Sequence, residues 1–367
     1  MSLQKPIVGV SEAVILLFFF ISVKVMLSQM LFTYEVGMNA AWVIPLMLML
    51  IGLFGVLLLV NLLNRFPGRD LVQVGEELVG PYVNALFALF YLTVFVVGAG
   101  STLRGISERM VVGYLPDSPI SLITFSFIAA TMIVSYLGLE AVARTARFLA
   151  SLLLLTMLAL VALTIPFWNF NALYPLLGPG PLQLLMGALE NTGDFTQILL
   201  LGIIYPFLSA GQGKKVGVWA VVLSGFFMFL YTLAPILIFT YPTVSELSVP
   251  SFEMTRIINI GRFGQRLEIL FLPIWSLGNM ILLSASLYAG AAVLTRIFKL
   301  SDYRPFILSM GVFVSVVAFI PQNVTQAAYW HYEYVIRYSF FILAGILVIL
   351  QLVAARKRKA RGGGQNA

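Results

Sequence analysis

The sequence predicts an all-α polytopic membrane protein of ten transmembrane helices, arranged as a 5+5 inverted repeat with spans 1 and 6 broken. Three observations predict it. Of 367 residues, 60% are hydrophobic and only 10% charged, where a soluble domain carries about 25% charged residues; the mean hydropathy is +0.98. Apolar runs of the length a helix needs to cross the hydrocarbon core, roughly 20 residues, recur from end to end, and no β-barrel alternation is visible. Finally, charged residues interrupt two spans at matching places, one in each half, Ser22-Val23-Lys24 and Glu190-Asn191-Thr192-Gly193-Asp194, a pattern that points to a binding site at an inverted-repeat interface.

The elements follow in order from hydropathy and turn punctuation. Span 1 covers 11–33; it follows a single lysine, Lys5, with no small-residue cleavage pattern after it, and is read as uncleaved. Spans 2 to 5 cover 41–63, 82–104, 119–138 and 148–167. Span 6, 183–208, contains Glu190-Asn191-Thr192-Gly193-Asp194. Span 7 covers 216–240, and the longest outer connection runs from 241 to 266. Within that connection 251–258 has the makings of a short surface helix, with Ser251 as its N-cap. Span 8 covers 268–296. Span 9, 305–320, is short and needs tilt or a polar flank to cross. Span 10 covers 333–354. The chain divides into a transmembrane domain, 1–355, and a basic tail, 356–367.

Charge sets the orientation. With a cytoplasmic N-terminus, 15 of the 22 Lys and Arg residues fall inside, six outside, and Lys24 lies within span 1. The positive-inside rule therefore places both ends in the cytoplasm. Five spans are an odd number, so the second group of five enters with opposite polarity and span 6 mirrors span 1, as in leucine-transporter-like carriers. The net charge of +7 reports topology and lipid contact rather than nucleic acid. The tail Arg356-Lys357-Arg358-Lys359-Ala360-Arg361 suits anionic lipid, at about 1 kcal/mol per basic residue near the surface.

The interruptions supply the candidate site. Ionisable residues inside spans usually face a cavity and mark a ligand or ion path. A mid-span Gly with Asn, Thr and Asp weakens the helix, and the freed backbone groups must find partners in protein, water or ligand. Unwinding is expected near Asn191, Thr192 and Gly193. Asp194 with Gln197 has capping-box spacing, so a second half-helix is expected to start there. Half-helix N-termini suit carboxylates and the opposite ends present carbonyls to cations, a geometry that fits a zwitterionic amino acid. The plainer reading is that Asp194 only caps and Glu190 faces an aqueous vestibule. For Lys24 three readings compete: an internal pair with Asp194 or Glu190, a ligand carboxylate, or replacement of a coupling cation. Ser28 and Gln29 lie one turn beyond Lys24. Tyr91 is mid-span 3, and Trp275 and Asn279, spaced i,i+4, share a face of span 8, where Asn279 is expected to bond a neighbouring helix. Tyr329, Trp330, Tyr332 and Tyr334 read as an interfacial aromatic belt.

Other chemistry is disfavoured. There are no cysteines and one histidine, His331, which leaves no disulfide, thiolate or histidine metal site, no catalytic constellation and no cofactor signature. Gly211-Gln212-Gly213-Lys214-Lys215 lacks the first glycine and the Ser or Thr of a phosphate-binding loop. Asn323-Val324-Thr325 is an outer glycosylation sequon of the kind that arises by chance.

Several connecting segments resemble the B subunit of bacterial spore germinant receptors. They are Phe66-Pro67-Gly68-Arg69-Asp70-Leu71 with Leu78-Val79-Gly80, Gly138-Leu139-Glu140-Ala141-Val142-Ala143-Arg144, Leu173-Tyr174-Pro175-Leu176-Leu177-Gly178, and Pro250-Ser251-Phe252-Glu253 followed by Gly261-Arg262-Phe263, Arg266-Leu267-Glu268 and Trp275. The resemblance implies a ten-span protein of the amino acid-polyamine-organocation superfamily in the spore inner membrane. It also implies a larger A subunit and a C-subunit lipoprotein as partners, and a small nutrient, often an amino acid, as ligand. Two positions depart from the pattern: Ser22-Val23-Lys24-Val25-Met26 has no glycine where related permeases have a glycine-rich break, and Gln197 stands where many B subunits have glutamate. A receptor built on a transporter scaffold requires the nutrient to bind one conformation better than another. The alternatives are a proton-coupled amino-acid symporter and a scaffolding subunit.

Overall fold

A computed structural model describes residues 8–23, 29–258 and 268–363, without the side chains of 29–31, 268–270, 324, 334 and 359–363. The described residues form helices and no strands. The first half holds α1 (Val10–Ser22), α2 (Gln29–Gly37), α3 (Val43–Leu63), α4 (Leu71–Val79), α5 (Pro81–Gly113), α6 (Ile120–Leu137) and α7 (Leu139–Thr164). The second holds α8 (Pro181–Glu190), α9 (Leu199–Ile204), α10 (Gly213–Phe239), α11 (Thr243–Glu246), α12 (Pro250–Arg256), α13 (Glu268–Ile297), α14 (Arg304–Phe319), α15 (Val324–His331) and α16 (Arg337–Gly363). Among the described residues seven helices are long and apolar enough to span a membrane, and α1 and α14 are shorter apolar helices. The chain is an integral membrane protein.

Small residues make the centre. The stretch Ser284-Ala285-Ser286 to Ala289-Gly290-Ala291 of α13 is buried throughout, and α13 packs along α1, α5, α6, α7 and α14. Without a hydrophobic drive between helices in lipid, such close approach supplies the packing energy. Apolar side chains point outward instead on α7, where Phe148, Leu152 and Leu155 recur at helical spacing and stay exposed.

One end of the bundle carries residues near both ends of the described chain: the Val8 N–H donates to the Phe207 carbonyl, and Lys357 Nζ donates to the Glu77 carbonyl. Here Gly68 turns the chain with φ +78°, and Asp70 caps α4 in a capping box with Gln73. Arg296, at the end of α13, donates Nε to Asp70 at 2.7 Å. Burial pushes the Asp70 carboxyl above its usual range, and Arg296 with the Gln73 and Val72 N–H groups offsets part of that rise. Lys299 pairs with Glu76 at 2.7 Å. The amphipathic α4 is thus stapled to α13 at two points.

At the far end Asn39 Nδ2 donates to the carbonyls of Leu173 and Pro175. Gly178, at φ +45°, leaves no room for a side chain beside Ala40 and Asn39. The segment before span 6 is in this way docked on the chain leaving α2.

Several boundaries differ from expectation. The α5 helix continues nine residues past 104 because Arg104 finds Glu108 at i,i+4, 3.0 Å away, and donates Nη2 to the Gln322 carbonyl; both Arg104 and Arg109 lie on the helix rather than in a loop. The short surface helix begins at Pro250 and not at a Ser251 cap, since the fixed φ of proline suits the first helical position. The α16 backbone stays helical through Gly363.

Candidate functional site

The interruption in span 6 is real and local. After α8 ends at Glu190, residues Thr192–Ile198 form a 3-10 turn, every one of them buried, before α9 resumes at Leu199. Asn191 Nδ2 donates to the Gly187 carbonyl at 2.8 Å and Thr192 Oγ1 to the Leu189 carbonyl at 2.9 Å. Both carbonyls also accept the Asn191 N–H, so these side chains add second bonds to the last turn of α8. Gly193 is required for another reason: a Cβ there would collide with the carbonyl and Cα of Ile336.

Ile336 belongs to the partner feature. Residues Tyr332–Ile336, at the entry to α16, form a π-helical turn, a wide turn found frequently at functional sites. The tight turn of span 6 seats against this wide one, and Thr196 Oγ1 and Ser339 Oγ share a 2.7 Å hydrogen bond across the seam.

A buried polar centre surrounds that seam. Asp194, Gln197, His331 and Tyr332 are each under 9% exposed. Gly98 of α5 marks where two of them meet, because a Cβ built on it would sit 3.9 Å from both Gln197 Nε2 and His331 Cε1. The Tyr332 ring stacks on Phe32 of α2 at 4.0 Å between centroids. Glu190 itself pairs with Arg337 at 3.4 Å, and Arg337 also holds Glu333 at 2.9 Å. The buried groups at this seam are a carboxylate, an amide, an imidazole and a phenol, the kinds of group that bind both ends of a zwitterion through charge and hydrogen bonds. Among the described residues no three His, Asp or Glu side chains converge as a metal site.

The other candidates lie apart from it. Trp275 Nε1 donates to the Val23 carbonyl at 3.1 Å, satisfying the end of α1. Asn279 Nδ2 donates to the Trp275 carbonyl of its own helix at 2.9 Å, not to a neighbouring helix; that carbonyl lies one turn back and is the nearest acceptor. The two do share a face. Tyr91 is fully buried, its hydroxyl without a partner, two turns from Gly98 on the same face of α5 and so about 10 Å nearer the termini. Lys24 and Ser28 lie outside the described residues; Gln29 opens α2, and its side chain is outside the description.

Three expectations change. Asp194 does not cap the second half-helix, which starts at Leu199 without a side-chain cap; the 3-10 turn carries the chain through Asp194 and Gln197 instead. Glu190 is held by Arg337 of span 10, a partner that sequence reading did not assign to it. Of the expected aromatic belt, Tyr332 is buried beside the break while Tyr329 is half-exposed, and the Tyr334 side chain lies outside the description; His331, next to Tyr332, is buried as well. The missed residues carried one signal, a Glu333/Arg337 pair at i,i+4 inside an apolar span.

The spore germination protein family model matches residues 8–327. Spore germination protein KB of Bacillus subtilis (strain 168) is 23% identical over 336 residues, covering 89% of this chain and 90% of that protein. Spore germination protein A2 of the same organism is 24% identical over 303 residues, covering 81% and 80%. Among solved structures, Mhp1, a nucleobase-cation-symport-1 family transporter in a closed conformation with bromovinylhydantoin bound, aligns at TM-score 0.64 and 13% identity over 93% of this chain and 75% of its own. MhsT in complex with L-phenylalanine aligns at TM-score 0.60 and 15% identity over 93% and 98%. At such identities the likeness carries the fold, which is that of leucine-transporter-like carriers.

Proposed function

The chain belongs to the spore germination protein family, and from that premise we propose that it is the nutrient-recognition subunit of a spore germinant receptor, with an amino acid as ligand. It is a membrane protein and not an enzyme. The observation that carries the reading is the buried centre of Asp194, Gln197, His331 and Tyr332, set where a tight turn in span 6 meets a wide turn entering span 10. Segments with two discrete packings at such a seam give a ligand something to select, and only differential affinity moves a population. The fuller architecture is ten spans in a 5+5 inverted repeat. Both termini are cytoplasmic, the basic tail lies on anionic lipid, and an A subunit and a C-subunit lipoprotein are the partners in the spore inner membrane.

Ligand-induced thermal stabilisation of the purified chain, screened over the amino acids, tests this. Asp194→Asn is expected to abolish the shift and the germination response while the protein still inserts and folds. An undiminished response in that variant would remove Asp194 from recognition. A second reading, a proton-coupled symporter, is favoured by the Glu190 and Glu333 carboxylates that Arg337 holds beside the centre. Accumulation of labelled amino acid in proteoliposomes driven by a pH gradient would support it over a receptor.

A further inference from the structure

A cavity of about 200 Å³ opens at the far end of the bundle, outside the polar centre. Its walls include Val112, Phe252 under the α12 cap, Phe271 and Trp275, with Arg109 and Glu253 as the charged groups. Both acidic neighbours are already engaged: Glu108 accepts from Arg104 at 3.0 Å and Glu253 from Arg256 at 3.1 Å. Arg109 has no such partner. Its Nη1 donates to the Gly105 carbonyl at 3.2 Å, its Nε is buried without a hydrogen-bond partner, and no carboxylate among the described side chains forms an ion pair with it. Arg109 is part-buried, so its fork keeps an unpaired Nε edge partly screened from water, and a guanidinium fork matches a carboxylate in shape as well as sign.

We propose that this cavity is a second ligand site, separate from the polar centre, that binds a small carboxylate with an apolar body through Arg109. Aromatic and aliphatic walls with one orienting charge are the usual make-up of a small-molecule pocket. The volume holds about six or seven waters at about 30 Å³ each, which admits an aliphatic acid or an apolar amino acid and excludes a peptide. Trp275 forms the wall nearest the bundle core, and its Nε1 bond to Val23 ties that wall to the end of α1. Occupancy of the cavity therefore bears on the helix that ends there.

The test uses the full chain in lipid nanodiscs, with 4-methylpentanoate as probe, its uncharged amide as control, and isothermal titration as readout. Saturable binding of the acid and none of the amide is expected. Arg109→Gln should weaken the acid about tenfold or more, while Asp194→Asn, which removes the polar centre, leaves it unchanged. Should Arg109→Gln fail to fold, Arg109→Lys keeps the charge but not the fork and is expected to weaken binding, and Val112→Trp, which fills the cavity, to abolish it. No saturable binding, equal binding of acid and amide, or undiminished binding in these variants overturns the proposal. Loss in Asp194→Asn alone also overturns it, by placing the carboxylate at the polar centre.

Discussion

Single residues decide whether the two turns can meet. Gly193 sits where any side chain would strike the Ile336 backbone, and backbone moves less readily than a side chain, so Gly193→Ala is expected to cost about 3 kcal/mol or more. Its melting temperature in nanodiscs should fall well below that of the parent. Gly98→Ala makes the contrast. The nearest atoms to its new methyl lie at 3.9 Å, so the melting temperature should hold, while the methyl enters the space between Gln197 and His331 and should depress the ligand-induced shift. Equal loss of stability in both variants would contradict the close packing at Gly193.

Helices show how the termini end is held. The α4 helix is fixed to α13 through Asp70 and Arg296, with Asp70 buried and Arg296 about one-third exposed. Removing one partner of a buried pair strands the other. Arg296→Met is accordingly expected to cost about 2–3 kcal/mol, below the range of a fully buried pair because the guanidinium reaches water. Asp70→Asn keeps the capping oxygen and loses the charge. The double variant should be less damaged than the sum of the two, a coupling readable in a thermal double-mutant cycle; strict additivity would show that the pair contributes nothing. Span 10 teaches the opposite lesson about legibility. Its aromatic residues suggested a lipid interface, and only the structure shows Tyr332, the first residue of the π-helical turn, buried beside the break in span 6.

For the whole molecule, orientation is the property to test. The sequence has no cysteine, so single cysteines report topology cleanly. With both termini cytoplasmic, Gly211→Cys and Arg358→Cys should react with an impermeant thiol reagent only after cells are opened. Tyr174→Cys, in the far-end segment docked on Asn39, should react in intact cells. Reaction of all three in intact cells, or the reverse pattern, would overturn the orientation drawn from the charge asymmetry.

Composition and periodicity by themselves determined the membrane class, the approximate limits of the apolar helices and the break in span 6, because lipid leaves a chain few solutions and each is written in local hydropathy. The interruption at Asn191, Thr192 and Gly193 was equally local, since weak helix formers and back-bonding side chains act within one turn. Tertiary structure alone decided what the break faces. Gly193 needed Ile336, Glu190 needed Arg337, Thr196 needed Ser339, and each partner lies over 130 positions away along the chain. Such pairings follow from how helices cross, which no periodicity within either helix encodes.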